Sequence, residues 1–171
     1  MPEDIPMEDI PMKVEQLMSH PVRTCSASDM LDRVARLMWE NDVGCIIIDS
    51  DGRIDGIITD RDICMAGRFA GKPLWEIPVG EVMSRPVETV HQNDTVETAE
   101  RLMRARKVRR LPVVNDSNEL VGLLSIDDLA REAGAQRERK KVEDSAEQVA
   151  ATLAEVCEPT GSTTDLSWTP W

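Results

Sequence analysis

The feature that most constrains this chain is an internal repeat. The two copies cover residues 14–49 and 79–114, which are separated by a constant 65 positions. Met18 therefore corresponds to Met83. One additional residue in a later turn changes the separation to 66, so that Gly56 corresponds to Gly122. A repeat of this length indicates one structural unit that occurs twice, with an apolar face on each copy that the other copy covers.

Each copy has the same order of predicted elements: a short helical turn that a proline ends, an extended piece, a helix, two strands and a second helix. The predicted strands are residues 45–48 and 54–59 in the first copy and 111–114 and 120–125 in the second. Ser28 and Asn93 are the predicted N-caps of the first helices, and Asp60 and Ile126 the predicted starts of the second helices. The order β-α-β-β-α, with a small three-stranded sheet and helices on one side, is typical of an α+β fold.

Outside the repeats, the sequence is divided by its composition. The predicted parts are an acidic flexible arm (1–12), the first repeat (13–66), a linker (67–78), the second repeat (79–133), an amphipathic helix (134–157) and a disordered tail (158–171). Trp75 is expected to pack the linker onto the rest of the protein. The helix is predicted because Val142, Val149 and Val156 recur at helical spacing. We expect this helix to mediate assembly or to cover part of the repeats.

Composition excludes several classes of function. With 171 residues, 41% of them apolar, the chain can form a packed core. Its net charge of −12 disfavours nucleic acids and anionic membranes as general partners, because both require a positive face. The sequence has no apolar run that could span a bilayer and no signal segment, so we expect a cytoplasmic location. The four cysteines lack the spacing of zinc sites and redox motifs, and no metal site is predicted.

Residues 56–63 and 122–129 carry the clearest chemical signal. In each stretch, a glycine and two apolar residues lead to a hydroxyl residue, Thr59 or Ser125, and a carboxylate follows three positions later. A helix that starts at this point has unpaired N–H groups and the positive end of its dipole, which attract phosphate or another anion. Simple N-capping of the helix explains Thr59 and Ser125 equally well. The later carboxylates, Asp62 and Asp128, would also complement the helix dipole without any ligand.

These motifs together resemble a tandem pair of CBS domains, the modules named after cystathionine beta-synthase. The resemblance rests on the Met-Ser-x-Pro-Val-x-Thr motif at residues 18–24 and 83–89, the strand at 109–114, and the stretches at 56–62 and 122–128. It covers residues 14–133, and its specificity comes from two ordered sets of motifs at nearly constant separation. The resemblance implies two units related by a pseudo-twofold axis, with a cleft that binds AMP, ADP, ATP or S-adenosylmethionine. It also implies homodimers of whole modules.

Under this resemblance, the residues have distinct expected roles. A carboxylate can accept hydrogen bonds from both ribose hydroxyls, so Asp62 and Asp128 are the expected ribose ligands. Thr59 and Ser125 are the expected phosphate ligands. Arg61 is a further expected phosphate ligand, because its positive charge could neutralise a phosphate chain. The aligned residue of the second copy, Asp127, is a carboxylate, and we therefore expect the first site to accept more phosphates. The predicted adenine pockets consist of Val22, Thr24 and Ile46 in the first copy and Val87, Thr89 and Leu111 in the second.

A basic run follows the first helix of the second copy. It consists of Arg101, Arg104, Arg106, Lys107, Arg109 and Arg110. These cations could reach into the cleft and hold ligand phosphates, and Arg110 is the first choice for that role. They could also contact nucleic-acid phosphates, or they could simply be a solvated helix end that complements the dipole. No aromatic residues are interleaved with them, which disfavours single-stranded nucleic acid as a partner.

The leading hypothesis is a regulatory module that binds an adenosine-containing ligand and signals to a partner protein through a conformational change. The alternative is a scaffold that assembles without a ligand. The chain has no phosphate-binding glycine loop, nucleophile elbow or metal-ligand cluster, so no catalytic residue and no required cofactor are predicted. An enzymatic function would require that hydrolysis of a bound nucleotide be observed.

Overall fold

The computed structural model describes residues 11–139 and 144–157. It describes the side chains of these residues except between 136 and 146. Residues 1–10 of the predicted arm and the whole predicted tail lie outside this part. The elements are a 3₁₀ turn (Val14–Gln16), β1 (Thr24–Cys25), α1 (Leu31–Asn41), β2 (Cys45–Ser50), β3 (Arg53–Thr59), α2 (Asp60–Phe69), 3₁₀ turns at Leu74–Glu76 and Val79–Glu81, β4 (Val90–His91), α3 (Val96–Arg106), β5 (Arg110–Val114), β6 (Leu120–Ser125), α4 (Ile126–Arg139) and α5 (Asp144–Cys157).

The strands form two three-stranded sheets that have the same topology, and the predicted α+β class is confirmed. One sheet has the order β1-β2-β3 and the other β4-β5-β6. In each sheet the first strand runs parallel to the second, and the third runs antiparallel to it. We call the first sheet with α1 and α2 unit 1, and the second sheet with α3, α4 and α5 unit 2. The hydroxyl residues Thr59 and Ser125 end β3 and β6 and lie opposite Cys45 and Arg110.

The predicted N-caps Ser28 and Asn93 are wrong by two residues. The N-cap of α3 is Thr95, whose side chain accepts a hydrogen bond from the third helical residue. The N-cap of α1 is Met30, which is also two residues beyond the prediction and makes no side-chain hydrogen bond. An additional turn causes the difference: the carboxylate of Asp94 accepts the backbone N–H of His91 at 2.9 Å, before the helix begins. The predicted starts of α2 and α4 are confirmed.

The opening segment of each repeat packs on the other unit. Val14 is fully buried in the core of unit 2, and Val79 is fully buried in the core of unit 1. Ser19 then exchanges two backbone hydrogen bonds with β6, and Ser84 pairs with β3 in the same way. The chain crosses between the units at the cis peptide bonds His20–Pro21 and Arg85–Pro86. The two units are therefore interlocked, and neither sequence repeat forms a unit by itself.

A glycine in each unit makes this exchange possible. The side chain of Met83 lies against Gly56, where a Cβ atom would come within 2.6 Å of the methionine Sδ. Met18 lies against Gly122 in the same manner: a Cβ atom on Gly122 would come within 2.8 Å of the methionine Cγ. Real Cβ atoms do not approach other atoms this closely. The glycine of one repeat and the methionine of the other thus form matched contacts across the pair.

The linker packs through residues other than Trp75, which is 65% exposed, so the expectation for this tryptophan is wrong. Leu74 packs against the core of unit 1, and Ile77 is 1% exposed within it. The carbonyl of Ile77 accepts the backbone N–H of Leu31 at 3.0 Å. The branched side chains on either side of the tryptophan pack into or against the core of unit 1, which leaves the indole ring outside.

Two C-terminal helices follow the second sheet. The helix that begins at Ile126 continues to Arg139, beyond the predicted end of the second repeat, and α5 then packs against α4 and α3. Val149 and Val156 of α5 join the core of unit 2. Thr152 is fully buried, and its hydroxyl donates to the carbonyl of the residue one turn earlier. The predicted helical face is therefore used within the same chain, against unit 2.

Candidate functional site

The start of α2 is organised by Thr59 and Asp62. The Thr59 side chain accepts a hydrogen bond from the Asp62 N–H at 3.3 Å and donates its own hydrogen to Asp62 Oδ2 at 2.7 Å. The Thr59 N–H also donates to Oδ2, at 2.9 Å. This arrangement is a capping box, in which two residues satisfy each other's backbone groups. Both hydrogen bonds that the carboxylate accepts use Oδ2, so within the described chain the other carboxylate oxygen of Asp62 remains available.

Ser125 and Asp128 form the same arrangement at the start of α4. Asp128 Oδ2 accepts hydrogen bonds from the Ser125 N–H at 2.8 Å and from the Ser125 hydroxyl at 2.5 Å. Its Oδ1 atom also has partners, however. The Ser19 hydroxyl donates to Oδ1 at 3.1 Å, and the Arg131 guanidinium forms an ion pair with the same atom. Asp128 is 3% exposed, and both of its oxygens are engaged by protein groups.

The two predicted ribose ligands therefore differ in availability. Asp62 is half-buried and offers one oxygen, whereas Asp128 is buried and satisfied. Sequence reasoning did not identify Ser19 or Arg131 as partners of Asp128. A signal was present in both cases: Ser19 belongs to the repeated Met-Ser motif, and Arg131 follows Asp128 by three positions, which places both side chains on one helix face.

Arg110 brings a residue of unit 2 to the start of α2 in unit 1. Its guanidinium Nη2 lies 3.3 Å from the position that a Cβ of Gly44 would occupy, and the Asp60 carboxylate lies 3.6 Å from the same point. The Gly44 carbonyl accepts the backbone N–H of Asp60 at 3.3 Å, which fixes this loop to the first turn of the helix. Arg110 thus connects the two units and lies beside the N-terminal end of α2.

The thiol of Cys45 also lies near Arg110 and Asp60, and both charges affect its pKa. Burial raises the pKa of Cys45, the positive charge of Arg110 acts to lower it, and the carboxylate of Asp60 acts to raise it. Cys45 and Arg110 occupy equivalent positions in the two repeats. The cation of one repeat therefore lies beside a neutral, buried side chain of the other and beside the carboxylate of Asp60, at the helix start where an anion would bind.

The other cations are distributed along the surface. Arg61 is exposed in the first turn of α2, where its backbone N–H donates to Asp60 Oδ1 at 2.8 Å. Within the basic run, Arg106 pairs with Glu88 at 3.1 Å, and Arg101 donates to Thr98 at 3.2 Å. These contacts hold Arg106 and Arg101 on the surface of unit 2. Arg110 is distinguished from Arg106 and Arg101 by its reach into the other unit.

The predicted adenine residues lie where the first and second strands of each unit meet. Val22 is half-buried, and Thr24 is exposed and pairs with the residue after Ile46 in β2. Ile46 itself is fully buried in the core of unit 1. In unit 2, Val87 and Thr89 are half-buried, and Leu111 is fully buried in the core. The side chains of Ile46 and Leu111 are thus covered, and both residues can contact a ligand through the backbone alone.

A proline makes the two strand junctions chemically different. In unit 1, the Ile47 N–H donates to the carbonyl of Arg23 at 3.3 Å. The aligned residue in unit 2 is Pro112, which has no N–H, so the equivalent bond to the carbonyl of Glu88 cannot form. The carbonyl of Glu88 is therefore left to accept a hydrogen bond from another donor, such as the exocyclic amine of a purine.

Two cavities are present among the described residues. One, of about 440 Å³, lies between α1 and α2, where Gly44 and Asp60 at the start of α2 form part of its lining. The second, of about 250 Å³, lies between α3, α4 and α5 beside Glu100. Among the described residues, no group of three or more potential ligands could hold a metal ion. No helix in the same part of the chain is long and apolar enough to cross a membrane.

Comparison with known proteins identifies the family. A family model described as the CBS domain matches this chain twice, at residues 14–68 and 79–134. The chain belongs to the CBS domain family. The two matches coincide with the two sequence repeats, and α5 lies outside both of them. The recognition of a tandem CBS pair from the repeated motifs is therefore confirmed.

Relatives and solved structures agree with this assignment. The CBS domain-containing protein YhcV of Bacillus subtilis is 37% identical over 117 residues, which are 68% of this chain and 82% of YhcV. The CBS domain pair of protein MJ0100, in complex with 5′-methylthioadenosine and S-adenosyl-L-methionine, has a TM-score of 0.67 and 26% identity over 74% of this chain and 99% of that chain. The CBS domain protein PAE2072 from Pyrobaculum aerophilum, complexed with AMP, has a TM-score of 0.66 and 28% identity over 77% of this chain and 100% of that chain.

Some relatives carry the names of enzymes, and their match with this chain is partial. It covers 24% of one such protein and 25% of another. In these proteins the CBS pair is one part of a longer chain. Their enzyme names describe those longer chains.

Proposed function

We propose that this CBS domain pair is a regulatory module that binds an adenosine-containing ligand at the start of α2, in the cleft between its units. MJ0100 and PAE2072 support the class of ligand, since their structures contain S-adenosyl-L-methionine, 5′-methylthioadenosine and AMP. The observation that carries the proposal is Arg110, a residue of unit 2 whose guanidinium lies beside Gly44 and Asp60 at the start of α2 in unit 1.

The helix start offers separate contacts for the sugar and for phosphate. Asp62 Oδ1 accepts hydrogen bonds from the two ribose hydroxyls while Oδ2 maintains the capping box. The phosphate lies at the N-terminus of α2, where the helix dipole favours an anion. The N–H groups of Asp60, Arg61 and Asp62 already donate to protein oxygens, so the arginine side chains supply the phosphate contacts. Thr59 lies at the same helix start, where its hydroxyl donates to Asp62. Arg61 and Arg110 offset the carboxylates of Asp60 and Asp62 there, which favours nucleotides with more than one phosphate over uncharged adenosyl compounds.

The adenine base lies between the units in this proposal. Val22 and Thr24 follow directly after the crossing point of the chain, so a base held there contacts the segment that joins unit 2 to unit 1. The backbone of Ile46 provides the floor of this pocket. A ligand that contacts both units favours one relative orientation of them, and a partner protein can read this change only if the ligand binds the two orientations with different affinity.

The corresponding site in unit 2 is proposed to bind more weakly. Its residues are Ser125, Asp128, Val87, Thr89 and Leu111. Asp128 must first lose its bonds to Ser19 and Arg131, and breaking these charge-assisted bonds lowers the net affinity. The free carbonyl of Glu88 provides a better contact for adenine in this unit, but it does not compensate for an occupied carboxylate.

Calorimetry with AMP, ATP, S-adenosylmethionine and adenosine tests the proposal. We expect heat of binding from the parent protein and an affinity of Arg110→Ala for AMP and ATP that is lower by about 10- to 100-fold, the effect of one lost bond to a charged group. Adenosine should bind both proteins equally. Arg109→Ala, which removes the neighbouring exposed cation, is the matched control and should bind like the parent.

A ligand-independent scaffold is the second candidate, and the saturated carboxylate of Asp128 favours it for unit 2. The same calorimetric series distinguishes the two functions. No heat and no thermal shift with any of the four compounds at millimolar concentration would contradict the regulatory proposal and support the scaffold. An equal loss of adenosine and ATP affinity in Arg110→Ala would place the arginine outside the phosphate site.

A further inference from the structure

The cavity in unit 2 contains a buried carboxylate that the fold does not require. Glu100 of α3 is 6% exposed and lines the cavity of about 250 Å³ between α3, α4 and α5. The aligned residue of unit 1 is Ala35, which lines the cavity between α1 and α2. Because the equivalent helix of the other repeat forms with an alanine at this position, packing alone does not explain the glutamate.

The carboxylate of Glu100 makes no hydrogen bond or ion pair with any of the described residues. Burial raises its pKa, the charge of Arg104 one turn later on α3 acts to lower it, and the charge of Glu97 acts to raise it. Arg104 acts from a distance, because no ion pair joins it to Glu100. A buried carboxylate costs free energy unless a partner compensates for the water that it has lost. Glu100 therefore lacks the positive partner that a buried carboxylate normally has.

The walls around this carboxylate are largely apolar. Leu129 of α4 and Val149 of α5 are core residues of unit 2, and Val96 of α3 packs against the same core. Met12, which precedes the first 3₁₀ turn, lines another side of the cavity. Pockets for drug-sized molecules have volumes of roughly 300–1,000 Å³, so a cavity of about 250 Å³ suits a smaller ligand. Apolar walls around one deep carboxylate match a short hydrocarbon chain that ends in a cation.

Two further carboxylates make the surroundings of the cavity negative. The exposed Glu97 and the half-buried Glu132 also contribute to its lining. Glu132, like Glu100, has an alanine at the aligned position of unit 1, Ala66. Carboxylates gathered around one opening attract cations. A metal ion is not the expected cation, because no group of three or more side chains in the described part of the chain could hold one.

We propose that this cavity binds a small aliphatic amine, with its ammonium group on the carboxylate of Glu100 and its hydrocarbon chain along the apolar walls. The ammonium donates charge-assisted hydrogen bonds, which are stronger than those between neutral groups. The chain gains free energy because it leaves water for an apolar surface. The site requires α5, which lies outside both CBS matches, so it is separate from the adenosine site proposed at the start of α2.

Calorimetry of the full chain with butylamine and butane-1,4-diamine tests this proposal. The ionic strength is held constant, because a net charge of −12 attracts any cation weakly. We expect both amines to bind, and 1-butanol, which has the same chain length and no charge, to give no heat of binding. Glu100→Gln keeps the shape of the side chain and should lower the affinity for both amines by about 10- to 100-fold.

Glu155→Gln is the matched control for this variant. It changes the net charge by the same amount, and it replaces an exposed carboxylate of α5 that does not line the cavity. Its affinity for both amines should equal that of the parent protein. Circular dichroism of the two variants verifies that they fold.

Methyl NMR of the methionines locates the bound amine in the parent protein. Met12 lines the cavity, whereas Met65 is exposed on α2 of unit 1. Saturating butylamine should shift the methyl resonance of Met12 and leave that of Met65 unchanged. The proposal would be overturned by the absence of binding at millimolar amine, by an equal affinity in Glu100→Gln and the parent, by an equal loss in both variants, or by a shift of Met65 without Met12. None of these measurements depends on a nucleotide.

Discussion

At the scale of single residues, the two aspartates with the same sequence context have different environments. Asp62 offers one oxygen, whereas Asp128 is 3% exposed and bonded to Ser19 and Arg131. The sequence separates them only in part: Arg131 follows Asp128 by three positions, but the serine that also bonds Asp128 is 109 positions away. The capping role of the hydroxyl residue in each copy could be predicted, since it depends on the next three residues alone.

Substitution of the aspartates should therefore have distinct effects. Asp62→Ala removes the proposed ribose contact and should lower the affinity for AMP by about 10- to 100-fold, the consequence of losing a charged hydrogen-bond acceptor. Asp128→Ala should instead lower the melting temperature, because it leaves Arg131 and Ser19 without their partner, and should change AMP affinity much less. Calorimetry and differential scanning fluorimetry on the same two variants separate these outcomes. Unchanged AMP affinity in Asp62→Ala would contradict the assignment of the site to unit 1.

The buried carboxyl group of Glu100 should lower the stability of the folded protein by a measurable amount at neutral pH. It is 6% exposed, and burial raises the pKa of its carboxyl above the ordinary value of 4.5, while Arg104 acts in the opposite direction. The folded state then holds its proton more tightly than the unfolded state does, so this residue lowers stability as the pH rises from about 4.5 through the raised pKa. Glu100→Gln should raise the melting temperature at pH 7 and have little effect below pH 4.5.

The pH series for Glu100→Gln needs a matched control on the same unit. Glu155→Gln removes an exposed carboxylate of α5 and should leave the melting temperature within experimental error at both pH values. About 1 kcal/mol corresponds to roughly 2–4 °C for a chain of this length, which thermal scans resolve readily. A melting temperature that rises equally at both pH values would show that charge on Glu100 is not the cause.

At the scale of elements, local signals predicted more than long-range ones. The glycine in each third strand, the hydroxyl at each helix start and the strand pairs were visible in the sequence. The exchange of opening segments between the units could not be predicted, because the residues around Val14 and Val79 do not indicate which unit they pack against. The position of α5 was open for the same reason: its apolar spacing predicts a buried face and leaves the covering element undetermined.

The contact of Gly122 with Met18 gives an element-level prediction. Gly122→Ala places a methyl group against the methionine side chain and should destabilise the protein by about 1–3 kcal/mol, the usual cost of overpacking. Gly134→Ala, in a helical position with no atom within 4 Å of the new Cβ, should stabilise it by roughly 0.5–1 kcal/mol. Urea denaturation measures both. Equal effects of the two variants would contradict the proposed role of the methionine contact.

At the scale of the whole molecule, the interlocked units determine what a ligand can do. Each unit contains the opening segment of the other repeat, so a change in their relative orientation must occur through the short crossings before Pro21 and Pro86. The proposed ligand contacts lie beside these crossings, in Val22 and Thr24. Arg110 adds a third connection between the units. We therefore expect a ligand at the start of α2 to change the orientation of unit 1 relative to unit 2.

A crystal structure of the full chain with AMP bound would test the proposed site at the start of α2 directly. We expect the ribose hydroxyls on the carboxylate of Asp62, and the phosphate between Thr59 and the guanidinium of Arg110. A nucleotide that occupies only the start of α4, with Asp128 released from Arg131, would contradict this site, as would a nucleotide that contacts one unit alone.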